Sequence, residues 1–569
     1  MSQYIGLDGA YSHYDKDTNS EPSSRDALHK TVEVALIGAG HAGILAAHSL
    51  LDKGINDFCI LEKAGDFGGT WYWNRYPNCR CDVESYIYLP LIEQFGEMPT
   101  EKYVRSSEIL AHACKVAKAL NLYPKTLFQT RVTEMRWVDE KRRWLIKTDN
   151  RDLISARFVS LGSGPLNRPK LPGIKGIELF KGKSFHTSRW DYEYTGGNEK
   201  GNLLGLKDKR VAIVGTGASA VQAIPALAEH SKHLFVVQRT PAAVEERKNR
   251  ATDENWWKTA RYPGWWEDRA RNFDGFSVGE IQEEDLVSDG WTKSWAQFSE
   301  AARASQNRSK DNSISPLQKV DYEKMGAIRD RIDRLVRDAD TAESLKPYYN
   351  WFCKRPLFHD GYYESFNRTN VTLLDTKGKG LDQITDCAIQ YGGKSFGVDC
   401  IIFASGFEAA APSNRSGGFS LIGRGGKTIE QYWKQGMRSL HGMFVHEFPN
   451  LAIIHGIKQA ATTWNGTYIL TQHTKHFADL VSRCKAQDIV SFEPKKSAEE
   501  AWLDELEDKA AADFNFLEDC TPGYINNEGM NLSEGIYAST YGPGVFEYLR
   551  VLDKWRLKDI DEDMLVTKL

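Results

Sequence analysis

A glycine-rich turn near the start of the chain has the residue types and spacing that bind the phosphates of a dinucleotide. Gly38, Gly40 and Gly43 follow a short β-branched apolar run and precede an Ala/Leu-rich stretch. The first glycine permits a tight bend, the second lets the backbone approach a pyrophosphate, and the third lets a helix pack close to its strand. Glu62 ends the next apolar run, 24 positions after Gly38 (62 − 38). A carboxylate there accepts both ribose hydroxyls and repels a 2′-phosphate, which favours FAD or NAD.

The same pattern recurs 177 positions later (215 − 38), with small residues at Gly215, Gly217 and Ala220. Here the position 24 after the first glycine (239 − 215) is Arg239, and Thr240 follows it. A guanidinium favours a 2′-phosphate through charge-assisted hydrogen bonds, while a solvated surface charge is the plainer alternative. Because the first unit rejects a 2′-phosphate and the second accepts one, the sequence predicts a flavoprotein that binds FAD and is reduced by NADPH.

Both glycine turns lie in segments with the order strand, turn, helix, strand. The sequence therefore predicts an α/β fold with two Rossmann-like dinucleotide-binding domains, and 569 residues suffice for two or three domains. Residues 242–350 are charged and helix-prone without a strand signal, so we expect a mostly helical insertion there. The expected division is an N-terminal extension at 1–30, the FAD-binding domain at 31–165, the NADP-binding domain at 166–385, and the rest of the FAD-binding domain with a tail at 386–569.

The composition excludes several classes of partner. The net charge is −4 and no long Lys/Arg run is present, so nothing favours nucleic acid or an anionic membrane. The first 30 residues lack the order of a signal peptide, and no apolar run approaches the roughly 18 residues of a membrane span. Nine scattered cysteines show no paired framework. We therefore expect a cytoplasmic protein with free thiols and small-molecule partners.

A flavin combined with NADPH can pass electrons to a disulfide, pass them to another carrier, or activate oxygen. A disulfide reductase needs two cysteines that can close a redox bridge near the flavin. Cys79 and Cys81 flank a single residue, which is an awkward spacing for such a bridge. The cysteines therefore disfavour a disulfide reductase.

The stretch "FKGKSFHTSRWDY" carries Phe180, Gly182, His186, Trp190 and Asp191. Its periodicity alone predicts a surface loop, but its spacing resembles, position by position, the fingerprint of type I Baeyer–Villiger monooxygenases. Those enzymes join one FAD unit to one NADPH unit. The segments "GGTWYWNRYPNCRCDVES", "VVQRTP", "WFCKRP" and "IIFASGFE" are also similar to blocks of that family, in its order, and the resemblance covers about residues 30–545.

The resemblance implies roles for individual residues. Arg355 resembles the arginine that lies over the flavin and stabilises its negatively charged C4a-peroxide, a role that suits a cation that stays protonated when buried. Asp82 resembles the carboxylate that contacts the flavin region and positions this arginine. Lys354 resembles a lysine that joins Arg239 and Thr240 at the 2′-phosphate. The further FAD-binding residues implied are Gly69, Thr70, Trp71, Asp82, Tyr88 and Val132. The further NADP-binding residues implied are Arg80, Thr216, Ser219, Gln222 and Arg355.

The reaction implied by the resemblance is the conversion of a ketone, with cyclic ketones favoured, to an ester or lactone. In that scheme NADPH reduces FAD, O2 adds at C4a, and the peroxyanion attacks the carbonyl; thioether sulfoxidation is an expected side activity. An N- or S-oxygenating flavin monooxygenase and a non-catalytic, NADPH-sensing flavoprotein are the alternatives. Arg355 and the Trp190-Asp191 ending argue against the first, and a sensor has no need of Arg355.

The chain departs from the family pattern at two places. The "ASG" segment has Ser405 where threonine is usual, which keeps the hydroxyl. Near the C-terminus "GIYASTYGPG" has Ile536 and Tyr537 where many members carry a tryptophan, so no ribose contact is carried over. The nearby "CTPGYINNEG" is similar to a subgroup that acts on larger cyclic ketones, including steroid-like ones.

The role of His186 is open at the level of sequence. No second ligand lies at a suitable spacing, so we expect no metal site. The histidine can act as a hinge between the two nucleotide domains, contact the chemistry as a general base, or pack in the interior. A hinge role is the favoured interpretation.

Overall fold

Two β-sheets with helices packed against them organise the computed structural model of this protein. The structure describes residues 4–5, 7, 9–17, 19–20, 25–306, 315–409, 417–454, 459–461, 463–509, 520–529 and 540–569. Ile536 and Tyr537 lie outside the described residues. In the described part of the chain, no helix is both long and apolar enough to cross a membrane.

The first sheet has eight strands and is centred on His29–Ile37, which pairs in parallel with Phe58–Leu61 on one side and Leu153–Leu161 on the other. The remaining strands are Thr126–Leu127, Val132–Val138, Arg143–Thr148, Ser420–Ile422 and Leu451–Ile453. The residues of Phe58–Leu61 are all buried, as expected of a parallel strand covered on both faces. The helix His41–Asp52 covers one face and packs against Gly466–Ala486, where Ser49 Oγ lies 3.5 Å from Thr474 Oγ1.

The second sheet has five parallel strands in the order Val371–Asp375, His233–Gln238, Arg210–Val214, Cys400–Phe403 and Lys183–His186. The sequence predicts that the chain after residue 385 rejoins the first sheet. Cys400–Phe403 instead pairs with Arg210–Val214, and the return to the first sheet comes at Ser420–Ile422. A short run of buried apolar residues fits the interior of either sheet, so its sequence does not decide between them.

The smaller sheets join distant segments. They comprise Tyr4–Ile5 with Leu171–Pro172, Val244–Glu245 with Leu357–Phe358, the hairpins of Gln383–Ile384, Ala388–Tyr391 and Lys394–Gly397, and Ile489–Pro494 with Met564–Lys568. Within the described residues, the other α-helices are Thr70–Trp73, Ser85–Tyr88, Ile92–Phe95, Ser106–Ala119, Tyr192–Thr195, Ala218–His230, Glu254–Thr259, Trp265–Ser277, Gly290–Gln306, Pro316–Leu335, Ala339–Leu345, Ile429–Tyr432, Lys496–Asp508, Val545–Leu557 and Ile560–Asp563. Five of them lie between residues 242 and 350, and the predicted fold of two dinucleotide-binding units with a helical insertion is confirmed.

The fingerprint stretch is not the surface loop that its periodicity predicted. Lys183–His186 is an edge strand of the second sheet, and His186, Trp190 and Phe185 are buried. A Cβ on Gly182 would lie 2.7 Å from the carbonyl oxygen of Asp399 and 2.5 Å from the ring of Phe180, which folds over it. The strand has four residues, too few for an alternating pattern to stand out, so the periodicity was misleading.

Candidate active site

The first glycine turn has the shape that a pyrophosphate requires. Gly38 has a φ of +100°, and a Cβ there would lie 2.7 Å from the carbonyl oxygen of Gly162. A Cβ on Gly43 would lie 2.0 Å from the carbonyl oxygen of Gly38, so a larger residue cannot replace either glycine without movement of the backbone. Gly40 is the N-cap of His41–Asp52, whose first amide groups therefore face the turn.

Glu62 lies directly after the strand Phe58–Leu61, where the sequence predicts a ribose-binding carboxylate. Its Oε2 accepts a hydrogen bond from Ala39 N at 2.6 Å and its Oε1 one from Ala64 N at 2.7 Å. Burial raises the pKa of this carboxyl, while the two amides lower it. Each oxygen keeps a second lone pair, so the carboxylate is held in place and can still accept two ribose hydroxyls.

Of the other residues predicted at the FAD site, Gly69 lies directly against the same turn. Gly69 has a φ of +52°, and a Cβ there would lie 2.7 Å from Gly40 Cα, so the two backbones touch. Thr70 begins the short helix Thr70–Trp73, and Trp71 Nε1 donates to Tyr88 OH at 3.2 Å. Val132 begins the strand Val132–Val138, which two strands of the sheet separate from His29–Ile37, and its side chain is buried in the core.

The second turn repeats this geometry at the carboxyl end of Arg210–Val214. Gly215 has a φ of +115°, and a Cβ on it would lie 2.6 Å from Ala404 O, whereas a Cβ on Gly217 would meet no heavy atom within 4 Å. The open space at Gly217 fits a phosphate approaching the helix that follows. Thr216 Oγ1 donates to Thr240 O at 2.8 Å, which joins the turn to the predicted 2′-phosphate residues. Ala220 is fully buried.

Arg80 and Gln222 connect the two domains. Gln222 Oε1 accepts a hydrogen bond from Arg80 N at 2.9 Å, and its Nε2 donates to Tyr76 OH at 3.3 Å. The guanidinium of Arg80 pairs with Glu101. Ser219 lies one turn before Gln222 and bonds Tyr76 as well.

Arg355 and Asp82, the two residues predicted to carry the chemistry, form an ion pair. Arg355 NH2 lies 2.5 Å from Asp82 Oδ1, with the side chains 28% and 10% exposed. The guanidinium carbon lies 5.5 Å from the ring centroid of Trp291 and 5.2 Å from that of Trp464. The cation is therefore fixed by a carboxylate and two aromatic faces while part of it remains accessible.

Sequence reasoning missed the two tryptophans and Arg247. Trp291 Nε1 donates to the carbonyl oxygen of Asp82 at 3.1 Å, and its ring stacks on Trp464 with centroids 4.7 Å apart. Burial lowers the pKa of Arg247 and the charge of Asp82 raises it, so a second guanidinium faces the same carboxylate. The high tryptophan content was the available signal, but it does not say which rings line a pocket.

The residues predicted for the 2′-phosphate converge, and a C-terminal segment covers them. Arg239 NH2 and Lys354 Nζ both donate to Pro522 O, at 3.0 and 2.8 Å. Burial and the neighbouring Arg239 lower the pKa of Lys354 to about 8. Ser405 Oγ donates to Lys170 O at 2.6 Å, so the serine of the "ASG" segment holds the backbone at Lys170 in place.

The prediction of free thiols is wrong for two cysteines. Cys353 and Cys520 form a disulfide across a sequence separation of 167 residues, while Cys59, Cys79, Cys81, Cys114, Cys387, Cys400 and Cys484 are free. The chain folds its C-terminal segment back onto the residue before Lys354, and spacing in the sequence does not show such a contact. Cys79 and Cys81 are not bonded to each other.

The fingerprint residues lie beside the site and between the domains. His186 Nδ1 accepts a hydrogen bond from Ser188 N at 3.1 Å, its ring packs on Phe407, and burial lowers its pKa to about 3. Trp190 Nε1 donates to Thr195 Oγ1 at 3.1 Å, and Asp191 accepts from Tyr194 N at 2.9 Å as the cap of a short helix. A neutral, enclosed imidazole of this kind favours packing or positioning over a general base.

Arg189, within the same stretch, crosses to the first domain. Its guanidinium lies 3.8 Å from the ring centroid of Trp73 and pairs with Asp15 at 2.5 Å. Tyr192 OH donates to the carbonyl oxygen of Arg75 at 2.5 Å. The stretch thus connects the edge of the second sheet with the first domain, and its hinge role stays a prediction.

Two dinucleotide-binding turns and a partly accessible arginine between them define a class of flavin-dependent monooxygenase. Residues 35–253 match the family described as pyridine nucleotide-disulphide oxidoreductase. The chain is 44% identical to pentalenolactone D synthase of Streptomyces arenae over 553 residues, covering 96% of this chain and 94% of that one. It is also 44% identical to Baeyer-Villiger monooxygenase ATR8 of Stachybotrys chlorohalonatus over 562 residues, with 98% and 89% covered.

A solved structure, the polycyclic ketone monooxygenase from Thermothelomyces thermophila, matches with a TM-score of 0.90 at 33% identity, covering 100% of this chain and 96% of that one. The chain belongs to the Baeyer–Villiger monooxygenases, and the predicted family and enzyme class are confirmed. The members of that family depend on FAD and NADPH. The first glycine turn with Glu62 fits FAD, and the second glycine turn fits NADPH.

Proposed function

We propose that this protein uses NADPH and O2 to convert a cyclic ketone into a lactone at the site formed by Arg355 and Asp82. The observation that carries the proposal is the ion pair of these two residues beneath the rings of Trp291 and Trp464. Bound FAD, once reduced, supplies the activation of oxygen. The side chains described below bind the reactants and hold charge beside them.

Arg355 is proposed as the catalytic cation. Insertion of oxygen next to a carbonyl builds negative charge on oxygen atoms, and a fixed guanidinium stabilises that charge without giving up a proton. Asp82 holds Arg355 in one orientation and offsets the cost of burying it. The stacked pair of Trp291 and Trp464 limits water on one side of the cation, which strengthens its field.

The wall beside Arg355 supports a ring-fused, apolar ketone as the substrate class. Trp464 is half-buried and stacks on Trp291, and Trp295 continues the wall with its ring centroid 5.0 Å from that of Phe352. Trp291 is 1% exposed and packs behind Trp464, so the accessible apolar faces belong to Trp464 and Trp295. Flat faces of this kind suit a rigid polycyclic ligand. The likeness to an enzyme named for polycyclic ketones points the same way.

The oxidant that bound flavin would supply, when protonated, suits transfer of oxygen to sulfur. We therefore expect sulfoxidation of aryl thioethers as a side activity, at a lower rate than ketone oxidation. The expected product is a sulfoxide enriched in one enantiomer, because the aromatic wall restricts how a flat thioether lies beside Arg355.

The test uses the purified FAD-loaded protein with NADPH in air and a panel of monocyclic and ring-fused ketones. We expect lactones that are heavier than their ketones by the mass of one oxygen atom. Ring-fused ketones are expected to be converted fastest. Oxidation of NADPH that only reduces O2 to hydrogen peroxide, with no ester from any ketone, would overturn the proposal. Faster turnover of the monocyclic ketones would overturn the assignment of the substrate class.

A further inference from the structure

A short C-terminal segment, Cys520–Gly529, lies directly on the cations predicted to bind the 2′-phosphate. Glu528 projects from it: its Oε2 accepts from Arg239 NH2 at 2.9 Å and its Oε1 from Lys170 Nζ at 2.9 Å. The carbonyl oxygen of Pro522, in the same segment, accepts hydrogen bonds from Arg239 and Lys354. An anionic group of the protein itself therefore occupies the place where an anionic ligand is expected.

The surroundings of Glu528 favour its ionised form. The residue is 7% exposed, and Tyr4 OH bonds its carboxylate while the Tyr4 ring lies 4.0 Å from Lys170 Nζ. Although burial alone would raise it, the charges of Lys170 and Arg239 lower the pKa of Glu528 to about 2. The carboxylate is thus a full negative charge at any physiological pH.

The segment is built to hold Glu528 in this position. Asn526 Oδ1 accepts from Gly523 N at 2.9 Å and from Gly529 N at 3.2 Å, and Glu528 N donates to Gly523 O at 2.7 Å. Glu528 has a φ of +60°, a left-handed conformation that a glutamate adopts only when its surroundings impose it. The disulfide from Cys520 to Cys353 ties the segment to the residue before Lys354.

We propose that Glu528 is a specificity-determining residue whose carboxylate competes with the 2′-phosphate of NADPH for Arg239. A nucleotide with a 2′-phosphate must separate Arg239 from Glu528, whereas one without it leaves the pair intact. Lys170, Arg239 and Lys354 bring three positive charges and Glu528 one negative charge, which leaves two for a phosphate dianion. Glu528 thereby lowers the affinity for the phosphorylated nucleotide, and the Cys353–Cys520 disulfide maintains that effect by keeping the segment in place.

The inference rests on the proposed role of Arg239 at the phosphate, and binding of 2′,5′-ADP and of 5′-AMP tests the two separately. Isothermal titration of the FAD-loaded protein measures both dissociation constants without turnover. In Glu528→Gln we expect the Kd of 2′,5′-ADP to fall by about five-fold, because one repelling charge is gone, and the Kd of 5′-AMP to stay unchanged. Glu505→Gln removes the same charge from an exposed pair with Lys509 and is expected to change neither constant.

An unchanged or higher Kd of 2′,5′-ADP in Glu528→Gln would overturn the inference. In Arg239→Ala we expect the preference for 2′,5′-ADP over 5′-AMP to fall by about ten-fold or more. If Arg239→Ala changes nothing, the proposed phosphate site itself is wrong. If Arg239→Ala weakens binding but Glu528→Gln does not tighten it, only the competition by Glu528 is wrong.

Cys520→Ser provides a second route that leaves the carboxylate in place. We expect this variant to bind 2′,5′-ADP more tightly than the parent protein, and to add no further effect to Glu528→Gln. Tighter binding that adds fully to the effect of Glu528→Gln would show that the disulfide does not act through Glu528. Unchanged binding in Cys520→Ser would overturn the role given to the disulfide.

Discussion

Arg355 NH2 lies 2.5 Å from Asp82 Oδ1, although the two residues are 273 positions apart in the chain. Asp82 follows the segment that packs against the first glycine turn, while Arg355 follows the helical insertion of the second domain. The pair therefore brings the two nucleotide-binding units to one point. Its geometry therefore depends on the relative position of both units.

Asp82→Asn tests whether the carboxylate positions Arg355. The amide keeps the shape but loses the charge, so we expect the yield of ester per NADPH consumed to fall about ten-fold, with hydrogen peroxide formed instead. Asp399→Asn removes a matched carboxylate from an exposed pair with Arg210 and is expected to leave that yield unchanged. Equal yields in Asp82→Asn and the parent protein would contradict the positioning role.

Glu62→Gln tests the predicted ribose contact. One backbone amide, of Ala39 or Ala64, would then face an NH2 group instead of an oxygen, which costs about 1–3 kcal/mol at a buried site. We expect lost flavin after gel filtration, measured as the ratio of flavin to protein absorbance, and a lower melting temperature of the apoprotein. Glu33→Gln, on the neighbouring strand, serves as the control, and full FAD content in Glu62→Gln would refute the assignment.

The two glycines of the second turn separate binding from folding. A Cβ on Gly217 meets no heavy atom of the protein within 4 Å, so Gly217→Ala should leave the melting temperature unchanged and raise the Kd of NADP⁺. Gly215 has a positive φ and a carbonyl oxygen 2.6 Å from its added Cβ, so Gly215→Ala should lower the melting temperature as well. Normal NADP⁺ binding by Gly217→Ala would mean that the phosphate does not approach there.

The lowered pKa of Lys354, about 8, predicts that binding of the 2′-phosphate depends on pH. The ammonium is charged below this pH and loses its proton as the pH rises through 8, whereas a phosphate monoester remains a dianion above pH 7. We expect the Kd of 2′,5′-ADP to rise several-fold between pH 7 and pH 9 while that of 5′-AMP does not. Lys354→Met should remove this dependence. An equal rise in the Kd of 2′,5′-ADP in Lys354→Met and in the parent protein would exclude Lys354 as its source.

The glycine turns, Glu62 and Arg239 could be predicted from sequence because each function depends on local spacing within one strand, turn and helix. The roles of Arg355 and Asp82 came from the family resemblance, since no local pattern joins residues so far apart. Trp464 and Glu528 were missed because their function depends on what the folded chain lays beside them. The disulfide was missed for the same reason, so the prediction of free thiols is wrong for Cys353 and Cys520 and holds for the other seven cysteines.

The fingerprint stretch, residues 180–192, includes a strand that its sequence periodicity did not predict. Its alternation was too short to predict a strand, yet Lys183–His186 completes the edge of the second sheet and Arg189 reaches the first domain. Gly182 is required by a neighbouring carbonyl oxygen rather than by a ligand. Gly182 and Arg189 therefore make packing contacts with residues distant in the chain, which a single sequence does not display.

We propose that Arg355 acts in oxygen transfer and not in the reduction of the flavin. Stopped-flow absorbance of Arg355→Ala, first without oxygen and then in air with a ring-fused ketone, measures the two steps separately. We expect NADPH to bleach the flavin at a rate within about ten-fold of the parent protein, and no lactone to form in air. Lactone formation at the parental rate would contradict the account.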